Sequence, residues 1–323
     1  MKPKVLLTEP VLEDGLEILE EVADVHVLGS TNVSDVKDAI IDADALIVKF
    51  ARITREIITC GRRLRVIGKH GIGVDTIDLD AACERGIMVL NVPAASHNTV
   101  AEHTIALVFA LLRHVPGAHV ALSSGDCNRE EFLGWDVTGK TLGLIGAGRI
   151  GMLVAQKAMA LGMVTVAFDP YVDISKDDHR SMLTFVSFDE LIGGSDIVSI
   201  HVPLNENTRR MIGERELLRM KSGSFLINTS RADIIDEHAL FAALKIGKLA
   251  GAALDVFQKS SDDQIACKQL MNAGNVIFTP HIAAFTHEAQ KRVVTTICQD
   301  VANVLMGKQP TNPVHPSRVH TVN

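Results

Sequence analysis

The run Gly146-Ala147-Gly148-Arg149-Ile150-Gly151 constrains this chain more than any other feature, because of what lies on either side of it. Lys140-Thr141-Leu142-Gly143-Leu144-Ile145 precedes it as a short apolar run of strand character, and residues 152–161, rich in Ala, Leu and Met, follow as a helix. Val164-Thr165-Val166-Ala167-Phe168 is a second strand that delivers Asp169 to its end. In a strand–turn–helix of this kind the first glycine permits the tight turn. The second lets the backbone approach a pyrophosphate, and the third lets helix and strand pack closely. The helix start offers N–H groups and a positive dipole end to phosphate. A carboxylate about 20 residues on is placed for the ribose 2′-OH. It would repel a 2′-phosphate, so the pattern predicts NAD rather than NADP.

Around this unit, strand and helix patterns alternate almost from end to end. Val5-Leu6-Leu7, Val25-His26-Val27-Leu28, Ala45-Leu46-Ile47-Val48, Val66-Ile67-Gly68 and Met88-Val89-Leu90 are short apolar runs. They are separated by amphipathic stretches at 12–22, 35–41, 54–60 and 79–85. That alternation means βαβ units and a parallel sheet, so the first hundred or so residues form a doubly wound unit of their own. A helix over 99–114, with N-cap candidates in Ser96-His97-Asn98, leads into the nucleotide-binding unit. Its later strands are Ile197-Val198-Ser199-Ile200, Ser224-Phe225-Leu226-Ile227, Gly251-Ala252-Ala253-Leu254 and Val276-Ile277-Phe278. A last helix at 286–306 is placed back on the first unit. The predicted class is therefore α/β, with two doubly wound parallel-sheet domains. A Rossmann NAD-binding domain (99–285) is inserted into a flavodoxin-like, discontinuous substrate-binding domain (1–98 and 286–323).

Composition narrows the partners. A net charge of −7 without a sustained Lys/Arg block argues against nucleic acid or an anionic membrane. Five scattered cysteines, never in a C-x-x-C pair, argue for reduced thiols in a cytoplasm and against a disulfide framework or zinc site. The first residues enter a strand at once, so no signal peptide is expected. No His/Cys/Asp/Glu cluster has metal spacing, and nothing resembles a nucleophile motif.

Ligands of parallel α/β sheets bind outside the carboxyl ends of the strands, and three polar residues fall at such ends. Arg231, in Asn228-Thr229-Ser230-Arg231, can hold a carboxylate bidentately, or it can be a surface Arg paired with a helix acid. His281, in Thr279-Pro280-His281-Ile282, is suited to proton transfer near neutral pH, or to capping and packing. Asp255 can accept a bond from a carboxamide, or cap a turn. Gly71-Ile72-Gly73 closes a strand of the first unit and can cradle a carboxylate with its N–H groups, or be a plain tight turn. Lys49 is a further cation at a strand end. His103, His114 and His119 read as packing or surface residues.

These residues together resemble the D-isomer-specific 2-hydroxyacid dehydrogenases, in their phosphoglycerate dehydrogenase-like form without a regulatory domain. The likeness runs over nearly the whole chain. It rests on Gly71-Ile72-Gly73-Val74-Asp75, Asn98-Thr99-Val100-Ala101-Glu102-His103-Thr104 and the glycine loop with Asp169-Pro170-Tyr171. It continues through His201-Val202-Pro203-Leu204, Asn228-Thr229-Ser230-Arg231, Ala253-Leu254-Asp255-Val256-Phe257 and Thr279-Pro280-His281-Ile282. The resemblance implies an NAD-dependent oxidoreductase interconverting a D-2-hydroxyacid and its 2-oxoacid, working as a cytoplasmic homodimer joined through the nucleotide-binding domains. It makes Arg231 the clamp on the substrate carboxylate and carbonyl, and His281 the acid/base. Lys49, Gly71, Ile72 and Gly73 would contact substrate. Gly146, Gly148, Arg149, Ile150, Gly151, Asp169, His201, Val202, Thr208, Thr229 and Asp255 would contact NAD. Two departures stand out. Ser260 occupies the position, five after Asp255, where the family has a Glu that orients and charges the histidine; Asp262 or Asp263 is a candidate substitute. Phe50 stands where phosphoglycerate enzymes have a small residue. The alternative reading is an NAD-binding sensor or corepressor on the same fold.

Overall fold

The computed structural model describes residues 2–125, 128–172, 183–257 and 264–314. The chain divides into two compact units, one built from residues 1–96 with the segment from Thr286, the other from His97–Phe285.

In the first unit the strands are β1 (Lys4–Leu7), β2 (Asp24–Val27), β3 (Ala45–Val48), β4 (Val66–Lys69) and β5 (Met88–Leu90). They form a wholly parallel sheet in the order β2-β1-β3-β4-β5, the doubly wound order of flavodoxin-like domains. Side chains alternate across a pleated sheet, and here both faces are covered. Val5, Leu7, Ala45 and Ile47 enter one core, while Leu6, Leu46 and Val48 enter the other. Helices α1 (Glu13–Glu20), α2 (Val33–Ala39), α3 (Arg55–Cys60) and α4 (Leu79–Glu84) connect the strands.

The second unit contains helices α5 (His97–Leu112), α6 (Val115–Ser123), α7 (Arg149–Ala160), α8 (Phe188–Gly194), α9 (Glu214–Arg219), α10 (Glu237–Lys245) and α11 (Gln264–Met271). Its strands are β6 (Thr141–Ile145), β7 (Val164–Phe168), β8 (Thr184–Phe185), β9 (Ile197–Ile200), β10 (Ser224–Asn228), β11 (Leu249–Leu254) and β12 (Val276–Phe278). They are ordered β12-β11-β10-β9-β6-β7-β8. Counted from β6 this is the Rossmann order with one strand added at the far edge. Again the pleat divides the core: Leu142, Leu144, Ile197, Phe225 and Ile227 lie on one face, and Ile145, Val198, Ile200 and Leu226 on the other. Full burial of each such apolar side chain contributes roughly 1.5–3 kcal/mol of transfer free energy.

The last helix, α12 (His287–Leu305), belongs to the first unit, where it packs on α1 and β4. Its approach is close enough to require glycine. A Cβ on Gly15 would stand 2.2 Å from Val294, and one on Gly68 would stand 2.9 Å from Val301.

The helix expected over 99–114 differs in both limits. It begins at His97, so His97 and Asn98 lie inside it rather than capping it, and it ends at Leu112. His114 takes φ +53° and the chain bends by 58° into α6. Among the described residues, no single helix is long and apolar enough to cross a membrane.

Candidate active site

The turn after β6 is built for close backbone approach. Gly146 sits at φ +98°, and a Cβ there would come within 2.8 Å of the His201 carbonyl oxygen. A Cβ on Gly151 would stand 2.2 Å from the Gly146 carbonyl oxygen, so the third glycine is what lets α7 lie against the loop. Gly148 differs: a Cβ there meets nothing within 4 Å. It is the N-cap of α7, and no side chain caps that helix end. The first-turn residues Arg149, Ile150 and Gly151 therefore fit an anionic diphosphate through the helix N-terminus. Asp169, at the end of β7, accepts the Ala147 N–H at 3.0 Å with one carboxylate oxygen and the Tyr171 N–H at 3.0 Å with the other. The acid that would meet the ribose thus also ties down the glycine loop.

Beside the loop, the His201 N–H donates to the Ile145 carbonyl, and its Nε2 lies 2.9 Å from Ser199 Oγ. Burial pushes its pKa down to about 4, so the ring is neutral. Val202 faces Gly146, and its carbonyl accepts the Ser230 hydroxyl at 2.6 Å. Thr208 closes the loop that follows, donating to the Pro203 carbonyl at 2.6 Å and accepting the Asn205 N–H at 2.8 Å.

Three neighbouring strand ends carry the remaining polar residues. After β10, fully buried Asn228 donates to the Arg231 carbonyl at 2.8 Å and accepts the Ser230 N–H at 2.9 Å. This clamps the loop from which Arg231 projects, its guanidinium donating to the Ser230 carbonyl at 2.8 Å. After β12, His281 adopts φ +58°, a left-handed conformation uncommon outside glycine. Asp255, after β11, holds that shape. Its carbonyl accepts the His281 N–H at 2.9 Å, and its carboxylate accepts the N–H groups of Ile282 (2.8 Å) and Ala283 (2.9 Å) and the Thr279 hydroxyl (2.6 Å). Asp255 is completely buried, with both oxygens engaged. In this structure it pins residues 279–283, the turn-capping role that the sequence offered beside a carboxamide contact. Burial alone would raise its pKa, but the bonds from His103, Thr279, Ala283 and Ile282 outweigh that and leave it lowered.

In the first unit, Gly71 sits at φ +145° with its N–H donated to the Lys69 carbonyl at 2.9 Å. The Gly71 N–H is thus engaged within the turn expected to cradle a carboxylate. Asn91 fixes the turn by donating to the Ile72 carbonyl at 2.7 Å. A second nest of N–H groups, unexpected from sequence, lies after β3. Glu9 fills it, accepting from Lys49 (3.0 Å), Phe50 (2.7 Å) and Ala51 (3.0 Å). Lys49 rides on this loop, its ammonium 5.2 Å from the Phe50 ring centroid, and partial burial lowers its pKa against the pull of Glu9. Burial, reinforced by Lys49 and Lys69, drives the pKa of His70 down to about 4.

Residues 105–283 match the family model described as D-isomer specific 2-hydroxyacid dehydrogenase, NAD binding domain. The chain belongs to this family. It is 40% identical over 313 residues to D-3-phosphoglycerate dehydrogenase of Methanocaldococcus jannaschii, covering 97% of this chain and 59% of that protein. It is 38% identical over 292 residues to hydroxypyruvate reductase of Thermotoga maritima, covering 90% and 94%. Among solved structures, D-lactate dehydrogenase from Aquifex aeolicus, complexed with NAD and lactic acid, superposes with a TM-score of 0.85 at 32% identity, covering 94% and 96%. The chain spans only 50% to 59% of the length of the first curated phosphoglycerate dehydrogenases it matches.

The 2-hydroxyacid dehydrogenase family model thus covers the glycine loop, Asp169, Arg231, Asp255 and His281 together. Ser260, Asp262 and Asp263 lie outside the described residues. Two participants escaped the sequence reading. His103, read as a packing or surface residue, has its Nε2 3.2 Å from Thr279 Oγ1 and 3.6 Å from Asp255. Glu9 carries no motif. The three N–H groups it binds lie about 40 residues away, and only the pairing of β1 with β3 brings them together.

Proposed function

We propose that this chain is an NAD-dependent dehydrogenase that interconverts a D-2-hydroxyacid and its 2-oxoacid. The observation that carries the reading is the alignment of Arg231, Asp255 and His281 at the carboxyl ends of β10, β11 and β12. The same sheet carries the 146–151 loop and Asp169. Gly146, Gly148, Arg149, Ile150, Gly151, Asp169, His201, Val202, Thr208 and Thr229 would hold NAD, with Asp255 behind its nicotinamide end. When bound, NAD supplies the hydride acceptor, and NADH the donor. Arg231 would hold the substrate carboxylate and polarise the C2 oxygen. His281 would take the hydroxyl proton at its imidazole nitrogen during oxidation and return it to the carbonyl oxygen during reduction. The smaller unit would bind substrate, through the N–H groups of Ile72 and Gly73 and the ammonium of Lys49.

Partner and location follow from the same reading. Helix α6 has no buried residue and exposes Val115, Val120 and Leu122, while nearby Leu133 is 82% exposed. An apolar surface of this kind needs a cover, and a second copy of the chain, joined through the nucleotide-binding unit, supplies one. The described free thiols Cys60, Cys83 and Cys298 support a reducing, cytoplasmic setting.

Ser260 at the family's Glu position favours one other reading, an NAD-binding sensor with little turnover. Nicotinamide absorbance with phosphohydroxypyruvate, hydroxypyruvate, glyoxylate, pyruvate and bulkier or sulfonated oxoacids separates the two. The dehydrogenase reading requires NADH oxidation with at least one of them. Tight NAD binding with none reduced would replace it by the sensor.

A further inference from the structure

Helix α5 touches both loops to which catalytic roles are assigned, through two adjacent residues. Its packing spans β10, β11 and β12, and neighbouring side chains on a helix diverge by about 100°, so one turn can reach two strand ends. His103 Nε2 lies 3.2 Å from Thr279 Oγ1 and 3.6 Å from Asp255 Oδ1. Since the Thr279 hydroxyl donates to Asp255 at 2.6 Å, its oxygen is left to accept from His103 Nε2–H. Thr104 is fully buried and donates its hydroxyl proton to the Val100 carbonyl at 2.9 Å. Its oxygen also lies 3.2 Å from Thr229 Oγ1, which must therefore be the donor of that pair. Thr229 lies two residues before Arg231, and Thr279 lies two residues before His281.

We propose that His103 and Thr104 are positioning residues. His103 braces the His281 loop through Thr279 and Asp255, Thr104 braces the Arg231 loop through Thr229, and α5 fixes the two loops relative to each other. The proposal rests on the reading of Arg231 and His281 as catalytic. A left-handed His281 held by hydrogen bonds is the kind of strained conformation that persists only when its surroundings over-determine it. His103 supplies one of those constraints from outside the loop.

The test is a set of steady-state measurements on the full chain with whichever oxoacid turns over, alongside thermal unfolding. His103→Phe should lower kcat about tenfold, the scale of one lost hydrogen bond, while leaving the KM for NADH unchanged. His103→Gln keeps a donor and should recover most of the loss. Should Phe not be accommodated, His103→Asn, too short to reach Thr279, carries the same prediction. Thr104→Val should raise the substrate KM as well as lower kcat, following the Arg231 loop, and Thr104→Ser should restore both. The decisive arm is the double change. In a His281→Ala background, His103→Phe should cost no further turnover, because there is no imidazole left to position. Equal losses in both backgrounds, or a change in unfolding temperature alone, would overturn the proposal while leaving the catalytic assignment standing. Retention of most turnover by His281→Ala itself would overturn both.

Discussion

Asp255 and His281 are joined by a 2.9 Å bond from the His281 N–H to the Asp255 carbonyl. The Asp255 carboxylate grips Thr279, Ile282 and Ala283 on either side of it. One buried acid thus dictates the backbone at φ +58° from which the imidazole projects.

Asp255→Asn should therefore be costly although nearly isosteric. An amide nitrogen would meet an N–H donor, leaving a buried group unsatisfied at about 1–3 kcal/mol. The unfolding temperature and kcat should fall together. The pH dependence has a defined sign. The folded pKa of Asp255 is lowered from 3.8, so its stabilisation is complete above that unfolded value and is lost as pH falls through the folded one. Thermal unfolding followed as pH falls from about 5 to well below the ordinary carboxylate value of about 4 should show an acid-labile component that Asp255→Asn removes.

The glycine loop predicts two distinct phenotypes. Gly151→Ala drives a Cβ to 2.2 Å from the Gly146 carbonyl and should lower both the unfolding temperature and NAD affinity. Gly148→Ala meets nothing in the protein, so the unfolding temperature should hold while NAD binding weakens at least about tenfold, because the methyl group occupies the approach of the pyrophosphate. Calorimetric titration with NAD beside a melting curve tests both. A Gly148→Ala protein that binds NAD normally would move the phosphate site elsewhere.

Asp169→Ala should narrow the preference for NAD over NADP, measured as the ratio of kcat/KM values. It should also loosen the loop, because the carboxylate holds the Ala147 N–H at 3.0 Å. NAD affinity should thus fall by more than loss of a ribose contact alone would cause. Equal efficiency with both cofactors in the unmodified protein would contradict the assignment.

Much of this architecture was legible in the sequence because local rules and tertiary structure agree there. Leu142 and Leu144 face one core and Ile145 the other, and Gly146 and Gly151 stand where only glycine fits. Strand β8 was not legible: it is two residues long, at a sheet edge. Helix α6 was hidden for the opposite reason. Its residues are apolar yet exposed, so no amphipathic period marks it. His103 read as a packing or surface residue because its partner Thr279 is 176 residues away. Nothing in the local pattern around His103 distinguishes a brace from a packing residue.

The central claim is that His281 moves the proton and Arg231 holds the acid, and kcat and KM of two single variants address it most directly. His281→Ala should lower kcat roughly 10²–10⁴-fold, as loss of general acid–base catalysis does, with NAD affinity barely changed. Arg231→Ala should raise the substrate KM and lower kcat together, because the clamp acts in both ground and transition states. A His281→Ala enzyme that keeps most of its turnover would show that the proton carrier lies elsewhere and would contradict the account.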